Sequence, residues 1–374
     1  MKITCTKENL SKALSIVGGI ANKNTTLPIL GNVLIKADDQ NTEIITTNLE
    51  LAIIAHIRSK VDEPGSFTVP SRTITDFVSL LSDEKIEMEV KENELVITCG
   101  KSSTKIKGTP ADEFPVIPSV NTGNGFLFNA EQLKNGLGQT VSSLAKSEIR
   151  PELSGMYFGF NTSYYAGLIM AATDSYRLAE KKIKILQGEG EFKIIVPGRT
   201  TQEIIHILSL ADNDEQEKNV RVLVGENQIA MHYGNIQLVS RLVEGNYPDY
   251  AQIIPKEFKT SAVFDTNKMS KEIKMASLFT TIGVNAISCQ INSREGVMKL
   301  ASTSSQTGEY SSEISAEING DDNSIMLNHR YVLDGLNNIK SEMSTIKIIN
   351  ADSPCLFVPS NDDSFVYIVM PIRQ

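Results

Sequence analysis

The sequence predicts an α+β fold made of three tandem copies of one unit, in which two helices pack on antiparallel β-sheets. Three observations lead to this fold class. The chain has 374 residues, more than one hydrophobic core usually organises. One strand–turn–helix pattern occurs three times, and its turn residues Pro70, Pro197 and Asn328 are spaced 127 and 131 residues apart. Segments with several prolines separate the copies, at residues 108–118 and 245–255.

The strand–turn–helix pattern spans residues 67–81, 194–208 and 325–339. Apolar residues recur at helical spacing after each turn, as in Ile74 and Val78 of the first copy, which predicts an amphipathic helix with one buried face. The second and third copies repeat this spacing through Ile204 with Leu208 and Val332 with Leu336. In each copy a basic residue follows the turn residue by two positions: Arg72, Arg199 and Arg330.

Each copy also opens with a strand and another amphipathic helix, which follows a polar capping residue. After the second helix of the first two copies comes an alternating hairpin, whose turn residues Asn93 and Asn227 lie 134 residues apart. These shared features predict a first domain of residues 1–122, a central domain of residues 123–257 and a last domain of residues 258–374. The apolar stripes of the opening helices contain Leu10 and Leu14, Leu133 and Leu137, and Met269 and Ile273.

Composition and charge exclude several classes of protein. A net charge of −9 argues at first against a partner as anionic as nucleic acid. The four cysteines lie far apart without a Cys-x-x-Cys pair, so we expect reduced thiols rather than a zinc ribbon or a disulfide framework. The N-terminus lacks the apolar segment of a signal peptide, and no apolar run has the length of a membrane span. We therefore expect a cytoplasmic protein with no membrane partner, no metal and no cofactor.

A catalytic constellation is hard to find in this sequence. Phosphate-binding loops, His-Glu-x-x-His zinc sites and Gly-x-Ser-x-Gly nucleophile motifs are absent. Asp174 and Arg177 form one tempting pair, because an arginine binds a substrate anion and a carboxylate acts as a base. No nucleophile or metal ligand accompanies them, so a turn that presents a docking surface is the favoured interpretation. A hydrolase or transferase that uses this pair is the enzymatic alternative.

Four runs of residues resemble one protein family, and the resemblance covers the whole chain. They are Thr-Leu-Pro-Ile-Leu-Gly-Asn at 26–32, Ala-Thr-Asp-Ser-Tyr-Arg-Leu-Ala at 172–179, Tyr-Pro-Asp-Tyr at 247–250 and Val-Met-Pro-Ile-Arg at 369–373. Together with the threefold repeat, they are similar to the bacterial DNA polymerase III beta subunit, the sliding clamp family. The resemblance implies a non-catalytic processivity factor with three DNA-clamp domains. Two chains would associate head to tail into a ring of six domains, whose helices line a hole for duplex DNA.

The resemblance also implies the partners of the chain. They are a second copy of itself, double-stranded DNA bound without sequence preference, the DNA polymerase III alpha subunit, the clamp loader and other proteins that carry a clamp-binding peptide. That peptide would dock in a groove between the second and third domains. A different class of function stays open beside this one, namely a repeat-built binding module that acts on proteins alone as a monomeric arc.

The family's peptide groove maps onto residues of the second domain, the following joint and the tail. An apolar slot would take the bulky side chains of a peptide, Arg177 and Arg373 would donate hydrogen bonds at its rim, and Met370 would adapt to related peptides. Ordinary core packing is the alternative for each aliphatic residue. Tyr176, Gln252 and Gln374 depart from residues common in the family. The groove would comprise Leu153, Gly155, Thr173, Ser175, Tyr176, Arg177, Leu178, Pro248, Ile253, Leu356, Val369, Met370, Pro371, Ile372 and Arg373.

For DNA, the resemblance points to basic residues on exposed helix faces and on the loop after the first helix. The six helical segments with their flanks (6–24, 71–81, 129–150, 198–211, 265–278 and 328–340) hold 13 basic and 8 acidic residues, a net charge of +5, which leaves −14 for the rest. Such a mildly basic lining inside an acidic shell accepts DNA by enclosure. The DNA-facing residues would be Lys12, Lys23, Arg72, Lys134, Lys146, Arg150, Arg199, Lys271, Lys274 and Arg330.

The subunit interface would join the first domain of one chain to the third domain of the other. Lys105, Ile106 and Lys107 lie on the last strand of the first domain, and Leu278 with Phe279 follows a helix of the third. Pairing across this interface would cover edge strands that an arc of three domains leaves open. Phe279 packed into the core of its own domain is the alternative.

Overall fold

The computed structural model describes residues 1–21, 27–39, 41–82, 84–117, 124–147, 149–210 and 218–373. Within these residues the chain forms seven α-helices and 27 β-strands. Six of the helices are the predicted pairs of the three copies, and the seventh is a single turn, α4, that the sequence did not predict. The helices are α1 (Lys7–Val17), α2 (Ser71–Leu80), α3 (Ala130–Val141), α4 (Pro151–Ser154), α5 (Gly198–Leu210), α6 (Thr266–Ser277) and α7 (His329–Asn338).

Polar side chains begin four of the helices. Thr6 before α1, Asn129 before α3, Asp265 before α6 and Asn328 before α7 each accept a hydrogen bond from a backbone N–H of the first turn, at 3.3, 3.0, 2.8 and 3.0 Å. Because an N-cap side chain satisfies a donor that the helix itself leaves unpaired, these residues fix where the helices start. Helix α3 ends at Val141, well before the limit of the predicted segment 129–150.

The described residues form two compact units. The first consists of Met1–Lys134, Ile185–Gly190 and Arg199–Leu242, and the second of Asn135–Lys184, Glu191–Gly198 and Val243–Gln374. Each unit therefore draws on more than one copy of the repeat. The domain boundaries after residues 122 and 257 remain a prediction.

The first unit contains two antiparallel sheets. One has five strands in the order β5 (Ser59–Glu63), β1 (Lys2–Thr6), β7 (Lys85–Lys91), β8 (Glu94–Cys99) and β9 (Ser102–Lys107). The other has nine strands in the order β10 (Thr109–Pro110), β6 (Gly65–Pro70), β2 (Asn32–Ala37), β3 (Thr42–Thr47), β4 (Leu51–Ile57), β18 (Ile236–Arg241), β17 (Gln228–Tyr233), β16 (Asn219–Val224) and β11 (Asn124–Asn129).

The second unit also contains two antiparallel sheets. One has nine strands in the order β15 (Phe192–Pro197), β12 (Gly155–Thr162), β13 (Tyr165–Thr173), β14 (Arg177–Ile183), β27 (Phe365–Val369), β26 (Cys355–Pro359), β25 (Met343–Ile348), β19 (Thr260–Asp265) and β23 (Glu317–Gly320). The other has four strands in the order β22 (Gly308–Ser315), β21 (Val297–Ser304), β20 (Ala286–Asn292) and β24 (Asn323–Asn328).

Strand pairing joins neighbouring copies of the repeat. In the first unit, β4 of the first copy pairs with β18 of the second, and Leu51 lies opposite Ser240. In the second unit, β14 of the second copy pairs with β27 of the third, and Arg177 lies opposite Val369. Each nine-stranded sheet thus combines five strands of one copy with four of another. The sequence predicted the proline-rich joints but not these continuous ladders.

The amphipathic helices bury the faces that their spacing predicts. In the first unit α1 packs against α2, and Leu10, Leu14, Ile74 and Val78 are buried. In the second unit α6 packs against α7, and their apolar residues share one core cluster with Phe264. The polar faces are left for solvent or for ligands, as expected of helices that cover one side of a sheet.

The cysteines belong to the buried interior. All four lie in described residues, are buried and form no disulfide. Burial raises the pKa of the Cys5 and Cys289 thiols to about 12, so they are protonated and unreactive at neutral pH. Among the helices of the described residues, none is long and apolar enough to cross a membrane.

The packing of α7 on β27 is testable at Gly335. A Cβ atom there would lie 2.4 Å from the ring of Tyr367, so the Gly335→Ala substitution must displace a fully buried side chain. We expect the free energy of unfolding to fall by about 1–3 kcal/mol, the usual cost of overpacking a core. Gly138 in α3 provides the control, because a Cβ there meets nothing within 4 Å.

The Gly138→Ala substitution is expected to raise the free energy of unfolding by about 0.5–1 kcal/mol, because alanine favours the helix more than glycine does. Urea unfolding followed by circular dichroism measures both variants. Equal stabilities of the two would contradict the close packing at Gly335.

Candidate partner-binding groove

The turn between β13 and β14 forms one wall of the candidate groove. Asp174 Oδ1 accepts hydrogen bonds from the backbone N–H groups of Tyr176 and Arg177, both at 3.0 Å. Thr173 Oγ1 donates to the carbonyl oxygen of Arg177 (2.7 Å) and accepts from the N–H of Ser175 (3.1 Å). Ser175 adopts a φ of 76°, in the left-handed region. Because side chains satisfy its backbone groups, the turn is tight and presents the Tyr176 ring, which is 62% exposed.

Arg177 lies inside the protein and not at the rim. Its side chain is only 6% exposed, and its Nε donates to Asp174 Oδ2 at 3.1 Å. Its Nη1 donates to a carboxylate oxygen of Asp334 on α7, and its guanidinium carbon lies 4.9 Å from the centroid of the Tyr331 ring. The prediction that Arg177 supplies a donor at an exposed rim is therefore wrong, because two carboxylates and an aromatic face already surround it. It ties the groove turn to α7.

The charge of Arg177 is secured by these neighbours. Burial alone would lower the pKa of the guanidinium, but Tyr367, Asp334 and Asp174 together outweigh that effect and raise it. Removing one partner of such a buried ion pair is costly, because the other charge is then left uncompensated. The same contacts argue against the catalytic alternative, since both oxygens of Asp174 are engaged within the turn. Within the described residues, no group of three or more His, Cys, Asp or Glu side chains has the arrangement of a metal site.

The C-terminal tail runs beside this turn. Val369 ends β27 opposite Arg177, and the N–H of Met370 then donates to the carbonyl oxygen of Tyr176 at 2.9 Å. The N–H of Ile372 donates to the carbonyl oxygen of Met326 at 2.8 Å. Residues 370–372 are partly exposed, Arg373 is exposed, and Gln374 lies outside the described residues. The tail is thus fixed by backbone bonds and offers its side chains as the second wall.

Several predicted groove residues support the surface from below. Leu178 and Leu356 are buried with Tyr250 in one apolar cluster, and Leu153 is 3% exposed. Gly155 is buried where β12 begins, and a Cβ there would lie 2.5 Å from Ile195, so only glycine fits. For these residues and for Val369, core packing describes the side chain better than direct contact with a ligand. The exposed members are Ser175, Tyr176, Pro248, Ile253 and Arg373.

The joint before the third copy is held by aromatic residues. The Tyr250 hydroxyl donates to the buried Glu180 Oε2 at 2.7 Å, and its ring meets that of Tyr157 edge to face at 5.8 Å. Burial is the main reason why the pKa of Tyr250 is raised, with the Glu180 carboxylate adding to it. The 3₁₀ turn Tyr250–Ile253 ends at Ile253, which is 43% exposed.

Sequence reasoning missed four contributors to this site: Tyr157, Glu180, Tyr331 and Asp334. Glu180 lies in a strand with three other charged residues, Arg177, Lys181 and Lys182, so nothing in the sequence marks it as buried. Tyr331 and Asp334 lie among the apolar residues of α7, and nothing in their spacing indicates a contact with a residue more than 150 positions earlier. The Tyr176 and Tyr331 rings stack at 6.2 Å with an interplanar angle of 19°.

Most of the predicted DNA-facing residues are exposed. Lys12 and Lys134 are partly buried, and Lys23 lies outside the described residues. Arg72 forms an exposed ion pair with Asp76 at 3.5 Å, and Arg199 Nη2 donates at 3.4 Å to the carbonyl oxygen of Gly19. The exposed members are Arg72, Lys146, Arg150, Arg199, Lys271, Lys274 and Arg330.

The net charge of the helices is also positive when it is counted over the helix bounds in the structure instead of the predicted segments. The six helices longer than one turn contain nine basic and six acidic residues. In the second unit, Lys271 and Lys274 line a surface cavity of about 320 Å³ between α6 and α7 with Asn267 and Asn337. Ammonium and amide donors in one shallow cavity suit a phosphate oxygen.

The predicted interface residues lie on the outer strand β9 or directly after helix α6. In the first unit β9 is the outer strand of the five-stranded sheet, with Ile106 buried and Lys105 and Lys107 exposed. In the second unit β22 is the outer strand of the four-stranded sheet. Leu278 is 69% exposed, while Phe279 is partly buried and stacks on Tyr310 of β22 at 6.0 Å. Phe279 therefore packs against the outer strand of its own domain through Tyr310, and part of its ring remains accessible at that edge.

The two arginines of the candidate groove are expected to differ in effect. Replacing the buried Arg177 with methionine leaves Asp174 and Asp334 without their cation, and we expect the free energy of unfolding to fall by about 1–3 kcal/mol. The matched Arg373→Met variant removes an exposed guanidinium and is expected to change it by less than about 0.5 kcal/mol. Thermal or urea unfolding of both variants measures the difference. Equal stabilities would mean that Arg177 has no structural role in the turn.

Comparisons with known proteins identify relatives along the whole chain. Three protein-family models match it in succession: the N-terminal domain of the DNA polymerase III beta subunit over residues 1–118, the central domain over residues 128–249 and the C-terminal domain over residues 251–373. A beta sliding clamp of Staphylococcus aureus is 29% identical over 359 residues, which cover 93% of each chain. The crystal structure of the Thermotoga maritima DNA polymerase III beta subunit superposes with a TM-score of 0.93 at 27% identity, covering 100% of this chain and 99% of that one. The DNA polymerase sliding clamp of Bacillus subtilis gives 0.93 at 28% identity with the same coverage.

Proposed function

This chain belongs to the family of DNA polymerase III beta subunits, the beta sliding clamps, and we propose that two copies close head to tail into a ring around duplex DNA. As a member of that family it is a processivity factor and a non-catalytic subunit of DNA polymerase III. We propose domain boundaries after residues 122 and 257; the first falls between the matched segments 1–118 and 128–249, whereas the second lies seven residues past residue 250, where the matched segments 128–249 and 251–373 divide. We also propose a cytoplasmic location, where bacterial DNA is replicated.

The observation that carries the ring is the strand pairing between copies. Two junctions of this kind occur within the chain, β4 with β18 and β14 with β27. Strands β9 and β22 are outer strands of smaller sheets, with five and four strands. Joined across two chains, they would make a third nine-stranded sheet like the other two. An open strand edge invites such pairing, and Leu278 adds exposed apolar surface close to it.

DNA would be held by enclosure and weak phosphate contacts. Most of the predicted DNA-facing basic side chains are exposed to solvent, which suits contacts that form and break as the ring slides. We propose Lys12, Lys23, Arg72, Lys134, Lys146, Arg150, Arg199, Lys271, Lys274 and Arg330 for this role. A negative remainder of the surface would keep DNA from binding outside the ring.

The candidate groove would bind the clamp-binding peptides of the DNA polymerase III alpha subunit, the clamp loader and other replication or repair proteins. Its exposed aromatic Tyr176, the aliphatic Ile253 and the adaptable Met370 suit bulky peptide side chains. Arg373, as the exposed arginine, would supply the charged donor that the sequence assigned to both arginines. The floor formed by Leu178 and Leu356 is already packed, so binding needs little rearrangement.

The ring is tested by its topology on DNA. Clamps loaded by a clamp loader onto nicked circular duplex should stay bound during gel filtration, because a closed ring cannot leave a circle. Cutting the circle with a restriction enzyme should release them by sliding off the ends. Retention on linear DNA equal to that on the circle, or a monomeric mass at micromolar concentration in sedimentation, would contradict the ring and favour the monomeric arc.

The groove is tested by deleting residues 370–374. The deletion removes the second wall of the groove but leaves β27 in place, so we expect polymerase alpha subunit binding to fall at least about 100-fold, as loss of several central contacts does. Surface plasmon resonance with the alpha subunit measures the affinity. The mass in sedimentation should remain that of the dimer, which provides the control. Undiminished binding would refute the assignment of the groove.

A further inference from the structure

An open cavity lies beside the first junction between copies. The first junction is the β4–β18 ladder, and the candidate groove adjoins the second junction, the β14–β27 ladder. Residues of the first unit surround a cavity of about 440 Å³ beside the first ladder, a volume within the usual range of ligand sites. Most of the residues that line it are apolar. Neither the proposed subunit contacts nor the candidate groove includes this cavity.

The backbone next to each ladder makes the same hydrogen bond. Beside the first ladder, the N–H of Arg241 donates to the carbonyl oxygen of Glu50 at 2.9 Å. Beside the second ladder, the N–H of Met370 donates to the carbonyl oxygen of Tyr176, also at 2.9 Å. Arg241 therefore takes the place that Met370 has at the second junction. Glu50 takes the place of Tyr176.

The turns that precede β4 and β14 also correspond. Thr47 Oγ1 and Thr173 Oγ1 each donate to the carbonyl oxygen four residues later and accept from the N–H two residues later. Leu49 and Ser175, two positions after these threonines, have left-handed φ values of 77° and 76°. Leu49 is therefore the counterpart of Ser175, which was predicted to line the candidate groove.

The joints that follow the first and second copies carry one more shared pattern. Residues 114–117 are Phe-Pro-Val-Ile, and residues 247–250 are Tyr-Pro-Asp-Tyr. The first and last residues of each run belong to an apolar cluster, with Ile45 in the first unit and with Ala171 in the second. Ile45 and Ala171 each lie two positions before the turn threonine. A turn, a joint and the end of a paired strand thus surround the cavity as they surround the candidate groove.

The side chains at corresponding positions differ in their chemistry. Leu51, which is 3% exposed, lies where the groove turn has the buried and charged Arg177. Arg241 and Glu50 place charges of opposite sign where the candidate groove has uncharged side chains. The cavity therefore has an apolar floor and a charged rim, and its ligand must differ from that of the candidate groove.

Apolar side chains at the mouth of the cavity are exposed to solvent. Val116 is 93% exposed and Leu49 is 48% exposed, and both line the cavity. A ligand that covers them removes apolar surface from water, which favours binding. The ligand should accordingly offer bulky aliphatic or aromatic side chains.

The two charges at the rim are available to a ligand. Arg241 and Glu50 are exposed, and within the described part of the chain neither side chain forms an ion pair or a hydrogen bond. A carboxylate on the ligand would pair with the guanidinium, and an ammonium group with the carboxylate. Nucleic acid fits poorly, because its phosphates would meet Glu50 as a like charge. A peptide that carries both charges satisfies both residues.

We propose that this cavity is a second peptide-binding groove, the first-junction groove, lined by Leu49, Glu50, Val116 and Arg241. Its ligand is a short segment of a partner protein in which bulky apolar side chains are flanked by one acidic and one basic residue. The inference goes beyond the role proposed for the candidate groove, because it adds a site with a different ligand. One protomer would then hold two partners without competition for a single groove.

Photo-cross-linking with a defined probe tests the site. The probe is the peptide acetyl-Asp-Leu-Bpa-Leu-Lys amide, where Bpa is the photoreactive benzoylphenylalanine. After irradiation with the full-length protein, mass spectrometry of tryptic fragments locates the cross-links. We expect them within residues 47–52, 115–117 or 239–241. The control peptide acetyl-Asp-Ser-Bpa-Ser-Lys amide lacks the aliphatic side chains and should give at least about fivefold less product at these residues.

Charge reversal at the rim tests the recognition of the acidic residue. Arg241→Glu should lower the cross-link yield at subsaturating probe about tenfold, because attraction of the aspartate becomes repulsion. A probe with lysine in place of that aspartate should prefer the variant to the original protein. Arg58→Glu is the matched control, since Arg58 is an exposed arginine of the same unit that does not line the cavity. It should change the yield less than about twofold.

An exposed apolar position provides the second pair of variants. Val116→Asp puts a charge at the mouth of the cavity and should lower the yield at least about fivefold, because it opposes burial of apolar surface. Leu80→Asp is its control, because Leu80 is 84% exposed on α2 and does not line the cavity. Both variants change solvent-exposed side chains, so circular dichroism should show the same fold for each.

The outcomes separate this site from the candidate groove. Cross-links at the first-junction groove that persist after deletion of residues 370–374, and that fall with Arg241→Glu and Val116→Asp, would support the proposal. Cross-links confined to residues 173–178 and the tail would overturn it and leave the candidate groove standing. Equal labelling by the serine peptide would also overturn it. A yield that falls as protein concentration rises would mean that a second copy of the chain fills the cavity, and would overturn the peptide ligand.

Discussion

Backbone hydrogen bonds between strands of different copies hold this architecture together. The ladders β4–β18 and β14–β27 convert separate repeats into continuous nine-stranded sheets. A ladder is built from main-chain groups that every residue except proline carries, so it constrains side chains only through their alternation between two faces. That property agrees with a TM-score of 0.93 at 27% identity to the Thermotoga maritima protein. Side chains diverge while the junction geometry stays.

The candidate groove is a product of the second junction. Pairing of Arg177 with Val369 brings the β13–β14 turn beside the tail, although the two segments are far apart in sequence. The buried Arg177 then fixes the turn to α7 through Asp334 and Tyr331. A peptide would meet walls that are already ordered in the folded protein. Binding would therefore not include the free-energy cost of ordering them. Exposed side chains are left to decide which peptides bind.

The sequence predicted the repeat because helical and strand periodicities recur at nearly constant spacing, and six of the helices are where Ile74, Ile204 and similar stripes indicate. It did not predict which strands meet, because the alternation in β4 is the same whatever strand lies beside it. Arg177 was misjudged for a related reason. A charged residue next to an exposed turn suggests a solvent-facing side chain, and only the distant Asp334 shows that its charge is compensated inside. Short-range patterns thus specify elements and faces, whereas partners across the fold need the structure.

The covalent connections between the sheets also decide where a closed ring could open. In a ring of two chains, four of the six junctions between copies would join strands of the same polypeptide. A ladder that breaks at one of these four would re-form quickly, because its strands remain tethered at high effective concentration. The two junctions proposed between β9 and β22 would have no such tether. Parting one of them would leave the other as a hinge, and the opened edges could stay apart long enough for a duplex to enter. The gate for DNA would then be set by where the polypeptide lacks a covalent link, and it would not require weaker hydrogen bonds than the other junctions have.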